Sequence, residues 1–356
     1  MPAAGDFASM SDVRFALLGF GDWAQHHARF IQKTQGAVLV AVVDIDASRR
    51  ELAAREFGVR TYDDFRSLLA EEMVEIVDVT LPNFLHYDAA LAALEHGRSL
   101  LLEKPMAVTT EQCDVLLERQ QQVQAGGDRP LLAIGFELRC SSLWGRVREL
   151  VASGEVGEVG SVEFNIFRAA PAAGLGGWRL DTVKAGSWML EAPIHYFDLL
   201  RWFMSERGEP QSIYSVARPS SSGKALVDSF ASIMRFSGES YGLLSYSMAG
   251  YGYAVSAKVI GTAGALWAHW EDRQPDGEAP VYWLEIGCDQ KRRRITIERP
   301  AGELDDLCAE IEQVVRAIQT GAPLHATGQD GRAAVSLSLA AEQSIRTGTV
   351  VSLTNR

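Results

Sequence analysis

Phe15-Ala16-Leu17-Leu18-Gly19-Phe20-Gly21-Asp22-Trp23-Ala24 is an apolar run that breaks at two glycines and resumes as the start of a helix. A turn of this kind lets a backbone approach a pyrophosphate at a helix N-terminus. Further on, Leu100-Leu101-Leu102-Glu103-Lys104-Pro105 delivers a carboxylate and an ammonium to the carboxyl end of a second apolar run. Open parallel sheets bind ligands outside the carboxyl ends of their strands, so both stretches are expected on one crevice. Asp44 closes another apolar run, Val38 to Val43. A carboxylate at that point accepts from both adenosine ribose hydroxyls and repels a 2′-phosphate. Neither Arg49 nor Arg50 occupies the slot just after the acid, so the pattern predicts NAD as cofactor, with NADP second.

Between and beyond these stretches the first part of the chain alternates. Strands are expected at Val13 to Leu18, Val38 to Val43, Ile76 to Val79 and Ser99 to Leu102. Helices are expected at Trp23 to Gln32, Ser48 to Phe57, Phe65 to Ala70, His86 to Glu95 and Glu111 to Gln122. Repeated crossovers of this type build a doubly wound parallel sheet, the Rossmann form of the α/β class. After about Pro130 the grammar changes to alternating strands separated by turn residues: Val159 to Phe167, Ser229 to Phe236, Tyr241 to Ser247, Tyr253 to Ile260, Val281 to Ile286 and Arg294 to Glu298. Helices at Leu143 to Ala152, Ile194 to Met204, Asp305 to Gln319 and Gly331 to Arg346 accompany them. The pattern predicts an open, mostly antiparallel sheet flanked by helices. The domains are therefore expected at 13–130, binding the nucleotide, and 131–356, binding substrate, with 1–12 a flexible amino terminus and Pro219 to Gly223 a plain loop.

A chain of 356 residues favours two domains over one. Its 34 basic and 46 acidic residues give a net charge of −12, which argues against nucleic acid or an anionic membrane as the main partner. The one basic run, Lys291-Arg292-Arg293-Arg294, reads as the solvated end of a hairpin. Cys113, Cys140, Cys288 and Cys308 lack metal or redox spacing and read as free thiols in a reducing compartment. No signal pattern opens the chain and no apolar run reaches membrane-spanning length, so a cytoplasmic protein is expected.

In the second part, Glu191 and His195 are four apart and would share one helix face, with Pro193 setting the helix start nearby. Asp198 is expected to orient or pack near His195. Glu191, His195 and Asp198 lack a further nearby ligand, so no metal is expected. Lys104, at a buried strand end beside a cofactor that is cationic when oxidised, has reason to lose its proton readily; the alternative is a snorkelling surface lysine. Glu103 reads either as a partner of backbone amides or as a site residue, and His86 either as an ordinary first-turn helix residue or as a cofactor contact.

With the glycine turn, Asp44, Thr80-Leu81-Pro82-Asn83 with His86, Glu103-Lys104-Pro105, Trp178-Arg179, the stretch carrying Glu191, His195 and Asp198, and the Thr327 to Arg346 tail, the chain resembles the glucose-fructose oxidoreductase, inositol dehydrogenase and MocA family of NAD(P)-dependent dehydrogenases. The resemblance implies a cofactor site of Gly19, Phe20, Gly21, Asp22, Trp23, Ala24, Asp44, Thr80, Leu81, Pro82, Asn83, His86, Glu103 and Lys104. It implies substrate contacts from Lys104, Arg139, Trp178, Arg179, Lys184, Glu191 and His195. The family's usual aspartate and glycine are replaced here by Glu191 and Pro193, a departure that bears on the substrate class. The implied substrate is a sugar, sugar derivative or cyclitol. Lys104 is expected to bond the reacting oxygen, His195 to exchange its proton and Glu191 to orient the substrate or the imidazole. A non-catalytic NAD-binding sensor and an NAD-dependent glycosidase are the rival readings. Trp267, Trp270, Tyr282 and Trp283 suggest an apolar outer sheet face and a homodimer or homotetramer built on it.

Overall fold

Six parallel strands form the first sheet of the computed structural model, which describes residues 12–169, 174–219, 227–273, 278–289 and 291–353. They are β1 (Val13–Leu18), β2 (Ala37–Val43), β3 (Arg60–Tyr62), β4 (Ile76–Val79), β5 (Ser99–Glu103) and β6 (Leu132–Gly135), in the order β3-β2-β1-β4-β5-β6. The crossovers are α1 (Asp22–Lys33), α2 (Ala47–Phe57), α3 (Phe65–Glu71), α4 (Asn83–Glu95) and α5 (Thr110–Ala125). Strand order reverses at β1, which pairs with β2 on one side and β4 on the other. That switch point opens a crevice at the carboxyl ends of the strands. The parallel sheet takes its last strand, β6, from beyond the expected boundary at 130. Residues 1–11 of the expected flexible terminus and most of the loop Pro219 to Gly223 lie outside the described residues.

The second sheet has nine strands in the order β14-β13-β12-β11-β7-β10-β9-β8-β15. These are β7 (Val159–Ala169), β8 (Ser212–Pro219), β9 (Val227–Arg235), β10 (Tyr241–Ser247), β11 (Ala249–Gly261), β12 (Ala265–Asp272), β13 (Val281–Cys288), β14 (Lys291–Ile295) and β15 (Val351–Ser352). All pairings are antiparallel except β10 with β7. One face carries α6 (Ser142–Ala152) and α8 (Pro193–Phe203); after β7 a 3₁₀ turn, Leu175–Leu180, and the short α7 (Thr182–Ala185) lead into α8. Two closing helices, α9 (Glu303–Thr320) and α10 (Gly328–Thr347), return to the parallel sheet. Leu307, Ile311, Val314 and Val315 of α9 pack with Phe15, Leu17 and Ile31, while Ala334 and Val335 of α10 pack with Leu100, Leu102 and Ile134. Each buried Leu, Ile or Val of this kind stabilises by ~1.5–3 kcal/mol relative to exposure, which holds the two sheets together.

Two sequence expectations change here. The basic run Lys291-Arg292-Arg293-Arg294 is itself edge strand β14, not the turn before one; its exposed cations discourage further strand pairing. The aromatic cluster is divided between two faces. Trp270 is buried, donating Nε1–H to the Ala301 carbonyl at 2.8 Å, and Tyr282 packs on the same core. Trp267 and Trp283 face outward under Arg292 and Arg294, with ring-to-guanidinium distances of 4.3 and 5.7 Å. Side chains alternate along a strand, so positions 267 and 270 must point opposite ways. Exposed Tyr214, Val216, Ile233, Tyr241, Phe167 and Ile260 supply the rest of the outer face's large apolar surface.

A buried trio pins α1 under the sheet. His27 Nδ1 lies 2.8 Å from Asp78 Oδ2 on β4, and His27 Nε2 lies 3.3 Å from Glu103 Oε1 at the end of β5. Burial opposes charge on the ring, but the Asp78 and Glu103 carboxylates overcome it and push the His27 pKa up to about 10. A raised folded-state pKa stabilises the fold fully below the unfolded value of 6.5, and that contribution is lost as pH rises through about 10. Urea unfolding midpoints at a series of pH values should therefore fall between these limits, and His27→Gln should flatten the decline. An equally steep alkaline loss in the variant would count against a charged His27.

Candidate active site

Each strand end of the parallel sheet contributes to one region. After β1, Gly19 sits at φ +92°, and a Cβ there would lie 3.0 Å from the Thr80 carbonyl oxygen, so only glycine fits without strain. Gly21 begins α1 with no side-chain cap, and a Cβ on it would meet only Arg49 Nη1, at 3.9 Å. The first amide groups of α1, from Asp22, Trp23 and Ala24, thus have an open approach, and the cradle fits a pyrophosphate. After β2, Asp44 is buried; its Oδ2 accepts from Phe20 N at 2.8 Å and its Oδ1 from Asp46 N at 2.8 Å. Arg49 Nη1 stands 3.6 Å from Asp44 Oδ2, and Arg50 is spent on the Asp44 and Ile45 carbonyls.

After β4, Thr80 Oγ1 donates to the Leu18 carbonyl at 2.9 Å, tying the two loops across the switch point. Helix α4 starts at Asn83 rather than His86, because Pro82, with φ −58°, serves as its N-cap. Asn83 is therefore buried in the first turn, donating from Nδ2 to Glu191 Oε1 at 2.8 Å and to the Ala185 carbonyl at 3.2 Å. His86 is buried with its two ring nitrogens each 2.7 Å from a backbone carbonyl, those of Pro105 and Leu81. It ties the Leu81 loop to the one after β5.

After β5, Glu103 Oε1 accepts from Trp23 Nε1 at 2.7 Å. Burial works against its charge, yet the His27 ring, the Lys104 ammonium and Trp23 hold its carboxyl down to about 2. Lys104 Nζ donates to the backbone carbonyl of Glu191 at 3.0 Å. The Glu191 carboxylate receives Asn83 on one oxygen and faces Arg179 Nε at 3.3 Å on the other. Arg179 also lies 5.1 Å from the Trp178 ring, while Lys184 is exposed, 4.0 Å from Asp181.

Glu191 and His195 do not share a helix face. Glu191 has ψ −99° and precedes α8, which Pro193 starts two residues later. The nearly buried His195 ring instead turns toward Glu137, with Nδ1 3.6 Å from Oε2. Burial, then the Lys104 charge, pushes the His195 pKa well below its usual 6.5, so the imidazole is neutral near pH 7. Asp198 does not reach His195 either. Its two oxygens take a bidentate 2.7 Å fork from Arg139, whose remaining bonds go to the His325 carbonyl and Asp330. Four of the five Arg139 N–H donors are thus spent inside the protein, where the side chain ties α8 to α10. Among the described residues, no group of three or more His, Cys, Asp or Glu is arranged to hold a metal.

Residues missed from the sequence include His27, Asp78 and Glu137. Glu137 had a visible signal: it lies two residues beyond the run Leu132-Ala133-Ile134-Gly135, much as Glu103 lies just beyond Leu100-Leu101-Leu102.

Residues 13–125 match the model of the oxidoreductase family with the NAD-binding Rossmann fold, and residues 144–267 match the GFO/IDH/MocA C-terminal domain. Inositol 2-dehydrogenase of Rhizobium meliloti is 29% identical over 343 residues, 94% of this chain and 97% of that protein. Inositol 2-dehydrogenase 3 of Saccharopolyspora erythraea is 27% identical over 343 residues, 95% of each chain. The crystal structure of a putative myo-inositol dehydrogenase from Sinorhizobium meliloti 1021 superposes with a TM-score of 0.78 at 25% identity, covering 96% of this chain and all of the other. Among the described residues, no helix is long and apolar enough to cross a membrane.

Asp44 gives NAD preference a specific physical basis, since a 2′-phosphate would meet its carboxylate. Asp44→Ser should lower the NAD-to-NADP ratio of kcat/KM by about tenfold or more, because the repulsion goes and Arg49 is released from its ion pair. A wild-type enzyme with the higher kcat/KM on NADP would contradict this account of Asp44.

Proposed function

The chain belongs to the GFO/IDH/MocA family of NAD-binding oxidoreductases, and from that membership we propose that it oxidises a secondary alcohol of a sugar, sugar derivative or cyclitol, or reduces the matching ketone. The observation that carries the reading is the Lys104 Nζ bond to the Glu191 carbonyl at the ligand-binding edge of the nucleotide sheet, with the Lys104 charge helping to keep His195 neutral. The inositol dehydrogenase names of the full-length relatives support the substrate class.

Gly19 to Ala24, Asp44, Thr80 to Asn83 and Glu103 are the residues that would hold NAD, which when bound would supply the hydride acceptor. The chain's own residues manage the substrate. Lys104 Nζ, anchored on the Glu191 carbonyl, has two further donor sites for the reacting oxygen. His195 takes the hydroxyl proton, which its neutral state permits. Glu191, braced by Asn83 and Arg179, orients substrate hydroxyls, with Trp178 and Lys184 at the outer side. The outer sheet face, with its exposed tyrosine, phenylalanine, isoleucine and valine side chains, serves a homodimer or homotetramer.

A panel of polyols, cyclitols and sugars with NAD, followed by NADH absorbance, should identify a substrate; absence of NADH release with every member would reject the dehydrogenase reading. On that substrate, Lys104→Met and His195→Asn should each lower kcat by about a hundredfold or more while NAD affinity changes little. Near wild-type turnover in both variants would overturn the assignment of roles. Light scattering at micromolar concentration should give a dimer or tetramer, and a monomer would reject the face as an assembly surface.

A further inference from the structure

Behind His195 lies a carboxyl group that the roles above leave unused. Glu137 occupies the 3₁₀ turn Glu137–Cys140 immediately after β6, the last strand end of the parallel sheet. Both Glu137 and His195 are over nine-tenths buried, and the Oε2 to Nδ1 separation is 3.6 Å. Among the described residues His195 Nδ1 has no hydrogen-bond partner, Glu137 Oε2 standing just beyond bonding distance. Phe136 meets the same imidazole edge to face, with ring centres 5.9 Å apart, so two successive residues just after β6 face the ring, one apolar and one acidic. A buried ring nitrogen left bare costs about 1–3 kcal/mol, which a small movement toward Glu137 recovers.

We propose that Glu137 is the proton partner of His195: it positions the imidazole through Nδ1 and receives, through the ring, the proton that His195 takes from the substrate hydroxyl. The proposal rests on the role given to His195 above. The step balances. From a starting state in which Glu137 is ionised and the imidazole carries its proton on Nδ1, the hydroxyl proton moves to His195 Nε2 and the Nδ1 proton moves to the Glu137 carboxylate, while NAD, when bound, would supply the hydride acceptor. The products are ketone, NADH, a neutral imidazole of the other tautomer and a protonated Glu137.

The surroundings suit a proton acceptor. Burial comes first, followed by the Glu103 carboxylate, in raising the Glu137 pKa well above the ordinary 4.5; the Lys104 ammonium opposes and Glu303 of α9 reinforces. Glu310, also buried on α9, is itself pushed upward by burial and by Glu137 and Glu103. On the histidine side, burial, Lys104 and Arg168 favour the neutral ring, and Glu103 opposes. A carboxyl with raised proton affinity thus faces a histidine with lowered affinity. That is the order needed to draw a proton through the ring and away from the substrate.

The pair can be tested without a substrate. In protein labelled with ¹⁵N-histidine and assigned through His195→Asn, the His195 ring signals should follow two proton steps with pH, one its own and one from Glu137. Glu137→Gln should leave one step, and Glu137→Asp should restore two. Thermal unfolding and NAD binding of the variants, within a factor of about two of wild type, check that the fold persists. A single step in wild type, or two steps surviving in Glu137→Gln, would overturn the proposal. These outcomes are separate from turnover of His195→Asn, which tests the dehydrogenase role itself.

Discussion

Lys104 Nζ donates to the carbonyl of Glu191, a residue 87 positions further along the chain, and this bond joins the end of β5 to the turn before α8. Two packing arrangements converge on it. The parallel sheet brings β1, β4 and β5 into register so that Gly19, Thr80 and Glu103 open on one side. The second sheet presses α8 inward until every residue from Pro193 to Leu200 is buried. Neither arrangement makes a reaction centre alone. A change in the angle between the sheets would separate the ammonium from the carbonyl by more than a hydrogen bond tolerates, so the burial of α9 and α10 against the parallel sheet matters to the site as well as to the fold.

Charge burial follows the same geometry. Glu103 stays ionised at the end of β5 because His27 and Lys104 flank it, whereas for Glu137, just after neighbouring β6, burial and the Glu103 carboxylate outweigh Lys104 and a backbone hydrogen bond. Two carboxyl groups on adjacent strand ends are thereby driven apart in proton affinity. Such divergence is how acid and base roles arise from the same side-chain chemistry. Here the member of lower proton affinity lies toward Trp23 and the glycine turn, and the member of higher proton affinity lies behind the histidine.

The parts legible in the sequence were those whose signals are local. Strand β1 was expected at its observed bounds because an apolar run met a glycine turn, and the Glu103-Lys104 strand end was readable for the same reason. Strand β6 escaped because its short run follows Gly126-Gly127 and Pro130, which read as a change of domain. With β6 went the context that would have singled out Glu137. Strand β12 escaped behind its tryptophans, although their odd spacing already divides them between two faces. Asp198 and Arg139 illustrate a different limit. Three residues along a helix placed Asp198 near His195, but α8 is buried all round, and the arginine that claims Asp198 arrives from 59 residues earlier. Tertiary partners of that sort leave no periodicity to read.

Glu191 brings these strands of argument to the substrate. Its backbone carbonyl, not its carboxylate, receives Lys104, which leaves the side chain free to reach Asn83 in one direction and Arg179 in the other. The extra methylene relative to the family's usual aspartate lengthens that reach, and Pro193 keeps the residue outside α8, where a helical backbone would have turned the carboxylate toward His195's face. The acid therefore acts as a brace between the nucleotide sheet and the Trp178-Arg179 turn. The His195 ring turns the other way, toward Glu137 in the 3₁₀ turn after β6, with Nδ1 3.6 Å from Oε2.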